Sequence, residues 1–285
     1  MFHVKRCFFV YHIILYIRKK NVRKGGNKMS RVRIIAVTNQ KGGVGKTTTA
    51  INLSACLAAE GKKVLAVDAD QQGNTTSGLG LDKNDMPATI YDVFLGEKTI
   101  NDVKQPTCVE GLEVIPANIN LTGAEIELIG NDRREYILRE ALEEVKDAYD
   151  FIVIDCPPSL NMITVNALVA ADTVLVPIQC EYFALEGLEQ LLHTVNLVKK
   201  RLNPSLEIEG IVFTMYDART NLSLQVVEEV KRSLGQNVYR TIIPRNVRLG
   251  ESPSHGLPIH LYDPKSKGAE AYQLLAEEVM EKEWN

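Results

Sequence analysis

The chain has 285 residues, 45% hydrophobic and 24% charged, with a formal net charge of −3. That composition excludes a disordered, collagen-like or disulfide-scaffold protein and leaves room for one large α/β domain. Its five cysteines are scattered with no C-x-x-C pair, so they read as reduced thiols rather than a disulfide or zinc framework.

Residues 1–28 stand apart. They carry eight Lys or Arg, no acid, and an apolar run from Cys7 to Ile17. The run is too short for a membrane-spanning helix of about 20 residues. Arg18-Lys19-Lys20-Asn21 follows it, where a signal peptide would need small residues. Met29-Ser30 directly precedes the first strand, and Lys24-Gly25-Gly26 can be encoded by a ribosome-binding sequence. The expectation is a non-native or disordered extension over 1–28 and a single domain over 29–285. Without the eight positive charges the net charge falls from −3 to −11. Any nucleic-acid binding must then use a local basic patch.

In chain order, Arg31 to Thr38 reads as a buried strand and Ala50 to Glu60 as a helix ended by Gly61. Lys63 to Val67 is a second strand, followed by a polar, glycine-bearing loop as far as Gly80. Ile90 to Leu95 is a short helix and Leu112 to Ile115 a short strand. Asp132 to Ala148 reads as one charged amphipathic helix. Phe151 to Asp155 and Thr173 to Ile178 are strands, Leu185 to Arg201 a long helix, and Ile208 to Thr214 a strand. Leu222 to Leu234 is a helix, Thr241 to Ile243 a strand, and Gly268 to Glu281 the last helix. Short apolar strands alternating with helices predict a doubly wound α/β fold, its mainly parallel sheet flanked by helices. Ligands in such sheets bind beyond the carboxyl ends of the strands.

Three such ends carry chemistry. Between the first strand and helix lies Gln40-Lys41-Gly42-Gly43-Val44-Gly45-Lys46-Thr47-Thr48. Strand, glycine loop and helix are the context of a phosphate-binding loop. Its backbone N–H groups would face phosphate oxygens, Lys46 the β- and γ-phosphates, and the Thr47 hydroxyl Mg²⁺. Asp68 and Asp70 end the second strand, two apart and so on one side of an extended segment. They can bind metal through water and orient an attacking water. Asp155 ends the apolar run Phe151 to Ile154 and precedes Pro157-Pro158, the setting of a carboxylate delivered to Mg²⁺. His193, His255 and His260 form no ligand set in sequence.

The loop departs from G-x-x-x-x-G-K-[ST]: Gln40 stands where glycine is usual, and a second lysine, Lys41, precedes the glycine pair. It resembles the deviant Walker A signature, K-G-G-x-G-K-[ST], of the ParA/Soj partition ATPases, MinD and the nitrogenase iron protein. Asp68-Ala69-Asp70-Gln71-Gln72-Gly73-Asn74 is similar to the ParA stretch D-x-D-P-Q-G-N, with Gln71 in place of proline. The stretches 179–187, 214–220, 243–249 and 251–256 resemble chromosomal ParA/Soj proteins, and the likeness runs from about Ile34 to the last helix.

The resemblance implies an ATPase with ATP and Mg²⁺ as ligands and slow intrinsic turnover. Lys41 would reach phosphates bound by a second copy, so that ATP joins a homodimer. Asp70 would serve hydrolysis, Asp68 the metal side, and Pro244 and Asn246 the adenine. Arg219 and Arg248 would contact double-stranded DNA without reading its sequence. Residues 199–267 hold eleven Lys or Arg against seven Asp or Glu, a basic region on an acidic chain. A ParB-type centromere-binding partner would stimulate hydrolysis in chromosome or plasmid segregation, in the cytoplasm on the nucleoid. The rival is a MinD-like ATPase on a membrane, but that type ends in a basic amphipathic helix, whereas this chain ends Glu277-Glu278-Val279-Met280-Glu281 and onward to Asn285. Cys108 and Cys156 lack the contexts expected of iron–sulfur ligands.

Overall fold

The computed structural model describes residues 32–181 and 184–282. The extension expected over 1–28 lies outside the described residues. Eight strands form one sheet: β1 (Arg33–Val37), β2 (Val64–Asp68), β3 (Gln105–Pro106), β4 (Leu112–Ile115), β5 (Phe151–Asp155), β6 (Thr173–Gln179), β7 (Glu207–Tyr216) and β8 (Val238–Pro244). Their spatial order is β3-β4-β2-β5-β1-β6-β7-β8. Every pair is parallel except β3 with β4. The doubly wound α/β fold expected from the sequence is therefore the fold observed.

Burial on both faces explains why the central strands are apolar throughout. In β1, Ile34 and Ala36 enter one core while Ile35 and Val37 enter the other. The second core packs against α1 (Lys46–Ala59), eleven of whose fourteen residues are buried. The first is covered by α3 (Ile90–Phe94), α4 (Ile100–Val103), α5 (Leu121–Glu127), α6 (Ile137–Glu143), α7 (Met162–Ala170), α8 (Ala184–Arg201) and α9 (Asn221–Leu234). α10 (Val247–Glu251), α11 (Ile259–Tyr262) and α12 (Lys267–Glu281) close the α1 side. There the Tyr272 hydroxyl, fully buried, meets that of Thr49 at 3.1 Å.

The strand β3 and the helices α4, α5, α7, α10 and α11 were not expected from the sequence. Two further differences each come from a tertiary cap. Residues 74–78, expected as loop, form the short helix α2 (Asn74–Gly78). Its starting residue Gly73 has no side chain to cap it, and the buried carboxylate of Asp68 accepts from the Thr76 N–H instead, at 2.8 Å. The long helix expected over Asp132 to Ala148 is cut to α6, with a 3₁₀ turn at Lys146–Ala148. Asn131 and the following residues turn on themselves, the Asn131 side chain accepting from the Arg133 N–H. Asn166 of α7 then accepts from the Leu138 N–H and donates to the Arg134 carbonyl, fixing where the helix begins.

Candidate active site

β1, β5 and β2 lie side by side, and their carboxyl ends form the floor of the site. Val37 is in register with Asp155, and Asp155 with Asp68. The loop from Gln40 to Gly45 leaves β1 over this floor. Gly43 and Gly45 have φ of 73° and 88°, values that disfavour any side chain. Such left-handed residues in a loop turn successive N–H groups toward one point. Gly45 also starts α1, which has neither a side-chain cap nor an acid in its first turn. Its leading N–H groups and positive dipole end are thus left for an anion. Behind the loop the Thr214 hydroxyl, from the end of β7, donates to the Val44 carbonyl at 2.8 Å.

The charges converge here. Lys46 is buried, only 7% exposed, and its ammonium donates to the Lys41 carbonyl at 3.2 Å. Burial pulls its pKa below the usual lysine range, opposed by Asp155, Cys156 and Asp70. Asp155 is fully buried. The Thr75 hydroxyl donates to its Oδ2 at 2.8 Å, and Oδ1 has no hydrogen bond to a described residue. Burial, reinforced by neighbouring Asp68, pushes its carboxyl up to about 7, against the pull of the Thr75 and Thr47 hydroxyls. Asp68 is also fully buried, and burial raises it to about 6. Its oxygens are engaged by the Thr76 N–H and hydroxyl and by the Asp70 N–H at 3.2 Å. Asp70 lies nearer the surface and accepts from the Gln72 N–H at 3.0 Å.

The structure thus gathers Gly42 to Thr48, Asp68, Asp70 and Asp155 at one end of the sheet. Pro244 and Asn246 reach the same end through β7: Pro244 is in register with Tyr216, two residues after Thr214. Asn246 caps α10, its side chain accepting from the Arg248 N–H at 2.8 Å. Arg219 and Arg248 lie outside the floor, exposed and paired with acids of their own chain. Arg219 forks onto Asp217, with Nε 2.8 Å from one oxygen and Nη2 2.6 Å from the other. That fork holds the Asp217 carboxyl well below the usual range. Arg248 meets Glu251 at 2.9 Å and Asp263 at 3.5 Å. The sequence reading missed Thr75 and Thr76 as the hydroxyls that hold the two buried acids, and Thr214 as the support of the loop. A pair of threonines seven and eight residues after Asp68 was the available signal.

A family model described as an AAA domain matches residues 32–208. The sporulation initiation inhibitor protein Soj of Bacillus subtilis is 61% identical over 247 residues, covering 87% of this chain and 98% of that protein. The chain belongs to the ParA/Soj family. It is an ATPase of that family. The chromosome partitioning protein ParA of Myxococcus xanthus is 55% identical over 251 residues, 88% of this ParA-type chain and 89% of the relative. Among solved structures, one from Mycobacterium smegmatis is described as cobyrinic acid a,c-diamide synthase with bound ADP and magnesium. It superposes with a TM-score of 0.78 at 39% identity, covering 87% of this chain and 94% of that one.

Proposed function

We propose that this ParA-type ATPase is a partitioning switch that pairs with a second copy when it binds ATP and carries that state onto DNA. One observation carries the reading. A phosphate loop sets Lys46 against a buried carboxylate with an unpartnered oxygen and leaves a second lysine, Lys41, at its rim. ATP is the substrate, its phosphates received by Gly42 to Thr48 and the N-terminus of α1, with Pro244 and Asn246 beside the base. Thr47 and Asp155 would hold Mg²⁺. Two buried acids, nearby hydroxyls and a free Asp155 Oδ1 fit a hard cation that prefers oxygen. Asp68 adds charge from behind while its oxygens stay on Thr76 and Asp70. The ion, when bound, supplies positive charge to the phosphate oxygens.

Asp70 orients the attacking water. Lys46 and the loop N–H groups offset charge as the terminal phosphoryl group departs. No strong base stands among these residues, so an isolated subunit turns over slowly, and a ParB-type partner accelerates it. Lys41, at the rim, serves the phosphates of the second copy. Arg219 and Arg248 give the paired form its grip on the phosphate backbone, which places the protein on the nucleoid in the cytoplasm. Among the described residues no helix is long and apolar enough to cross a membrane.

DNA binding with ATP, ADP or no nucleotide tests this. Asp70→Ala with ATP is expected to hold any duplex, and less so as salt rises. Arg219→Ala and Arg248→Ala each weaken binding uniformly across sequences and lower the salt slope by about one. An ATP-dependent dimer that ignores DNA and binds anionic vesicles contradicts the DNA reading and favours the MinD-like one.

A further inference from the structure

Lys41 is the residue whose charge the proposed dimer needs on the far side of the interface. In this chain its ammonium lies 2.5 Å from the carboxylate of Glu181, just beyond β6. The backbone on both sides is held so that the two side chains meet. Buried Asn39 donates its amide to the Pro177 carbonyl of β6 at 2.8 Å, and its other end accepts from the Lys41 N–H at 3.0 Å. Gln40 donates to the Thr194 hydroxyl of α8 at 3.2 Å. On the acid's side, the Glu181 N–H donates to the Gln179 carbonyl at 2.8 Å, and its carbonyl accepts from Ala184 at 3.0 Å. The rim of the phosphate loop is thereby clasped to the β6–α8 connection, and the ion pair is the exposed member of the clasp.

Exposure sets its strength. The Lys41 side chain is 37% exposed and that of Glu181 46%. A pair in that setting is weak and readily exchanged. A single carboxylate competes poorly with a triphosphate for the same ammonium. The two cannot both hold it in one geometry when the phosphates belong to another subunit. We propose that Glu181 is a positioning residue that holds Lys41 on its own subunit. The pair must part before Lys41 crosses, so Glu181 sets the protein concentration at which ATP joins two copies. This rests on the reading of Lys41 as the lysine that serves the second copy.

Glu181→Gln tests it, with Glu186→Gln, an exposed acid on α8, as the control for lost net charge on an acidic chain. In an Asp70→Ala background with ATP and Mg²⁺, sedimentation is expected to give a dimer dissociation constant roughly three- to fivefold lower for Glu181→Gln. Glu186→Gln should leave it within about twofold. Labelling of Lys41 by a small amine reagent, read by mass spectrometry on the monomer, should be faster in Glu181→Gln. An unchanged or weaker dimer, or unchanged Lys41 labelling, overturns the proposal. Lys41→Ala separates it from the reading beneath. If that variant still pairs with ATP, the role of Lys41 in the second copy fails, whatever Glu181 does to the labelling.

Discussion

Asp155 is buried by the sheet and then only half satisfied, which makes it costly to the fold and useful to the site. Burial and then Asp68 disfavour the charged form and push its carboxyl up to about 7 from an ordinary 3.8. The folded state therefore holds this proton more tightly than the unfolded chain. The stability it contributes is full below about 4 and is lost as pH rises through about 7. Thermal melts in a chelator should accordingly fall between pH 5 and 8, and Mg²⁺ should restore stability most at the upper end, where the ligand is ionised. Asp155→Asn removes the buried charge. It is expected to raise the melting temperature at pH 8 by roughly 2–6 °C while abolishing the response to Mg²⁺. A variant that melts lower at pH 8 and still responds to Mg²⁺ would contradict this assignment. Residues of this kind were legible in sequence because chemistry forces their type and place: an acid after an apolar strand, a lysine after a glycine loop. Their holders were not. Thr75 and Glu181 meet their partners across the fold, 80 and 140 residues away, and Thr76, eight residues after Asp68, was marked only by its place in a polar loop.

Elements obey the same division. Long helices were readable because one buried face writes a period into the sequence, as in α12, and central strands because burial on both faces leaves a short apolar run, as in β5. α2 was not, because five polar and glycine residues carry no period and the cap that starts it comes from Asp68 on another element. Nor was the start of α6, set by Asn166. Ends fixed by distant side chains should be expensive to lose. Asn203, only 2% exposed, gives the clearest case: its amide bonds the carbonyls of Leu168, Val169 and Ala171 at 3.0, 3.1 and 2.8 Å, closing the C-terminus of α7. Asn203→Ala leaves those buried carbonyls without a donor and should cost about 2–3 kcal/mol in denaturant unfolding, with the slope unchanged. A cost below about 0.5 kcal/mol would mean that water or the backbone replaces the amide.

For the whole molecule, the site gathers at one end of the sheet, and the exposed Lys41 belongs to its rim rather than its floor. Lys46, by contrast, is enclosed among the acids. One lysine inside and one at the edge fits the proposal that each serves the phosphates of a different copy. Arg219 and Arg248 are exposed and already paired with acids, so in the proposed DNA-bound form a polyanion would gain them by exchange. ATP is proposed to join two copies through Lys41. The most direct test is the solution mass of the Asp70→Ala protein with ATP, with ADP, and with ATP after Lys41→Ala. A dimer is expected only in the first, with ATP still bound by the Lys41→Ala monomer through Lys46. A dimer that forms equally with ADP, or that survives Lys41→Ala, would contradict it.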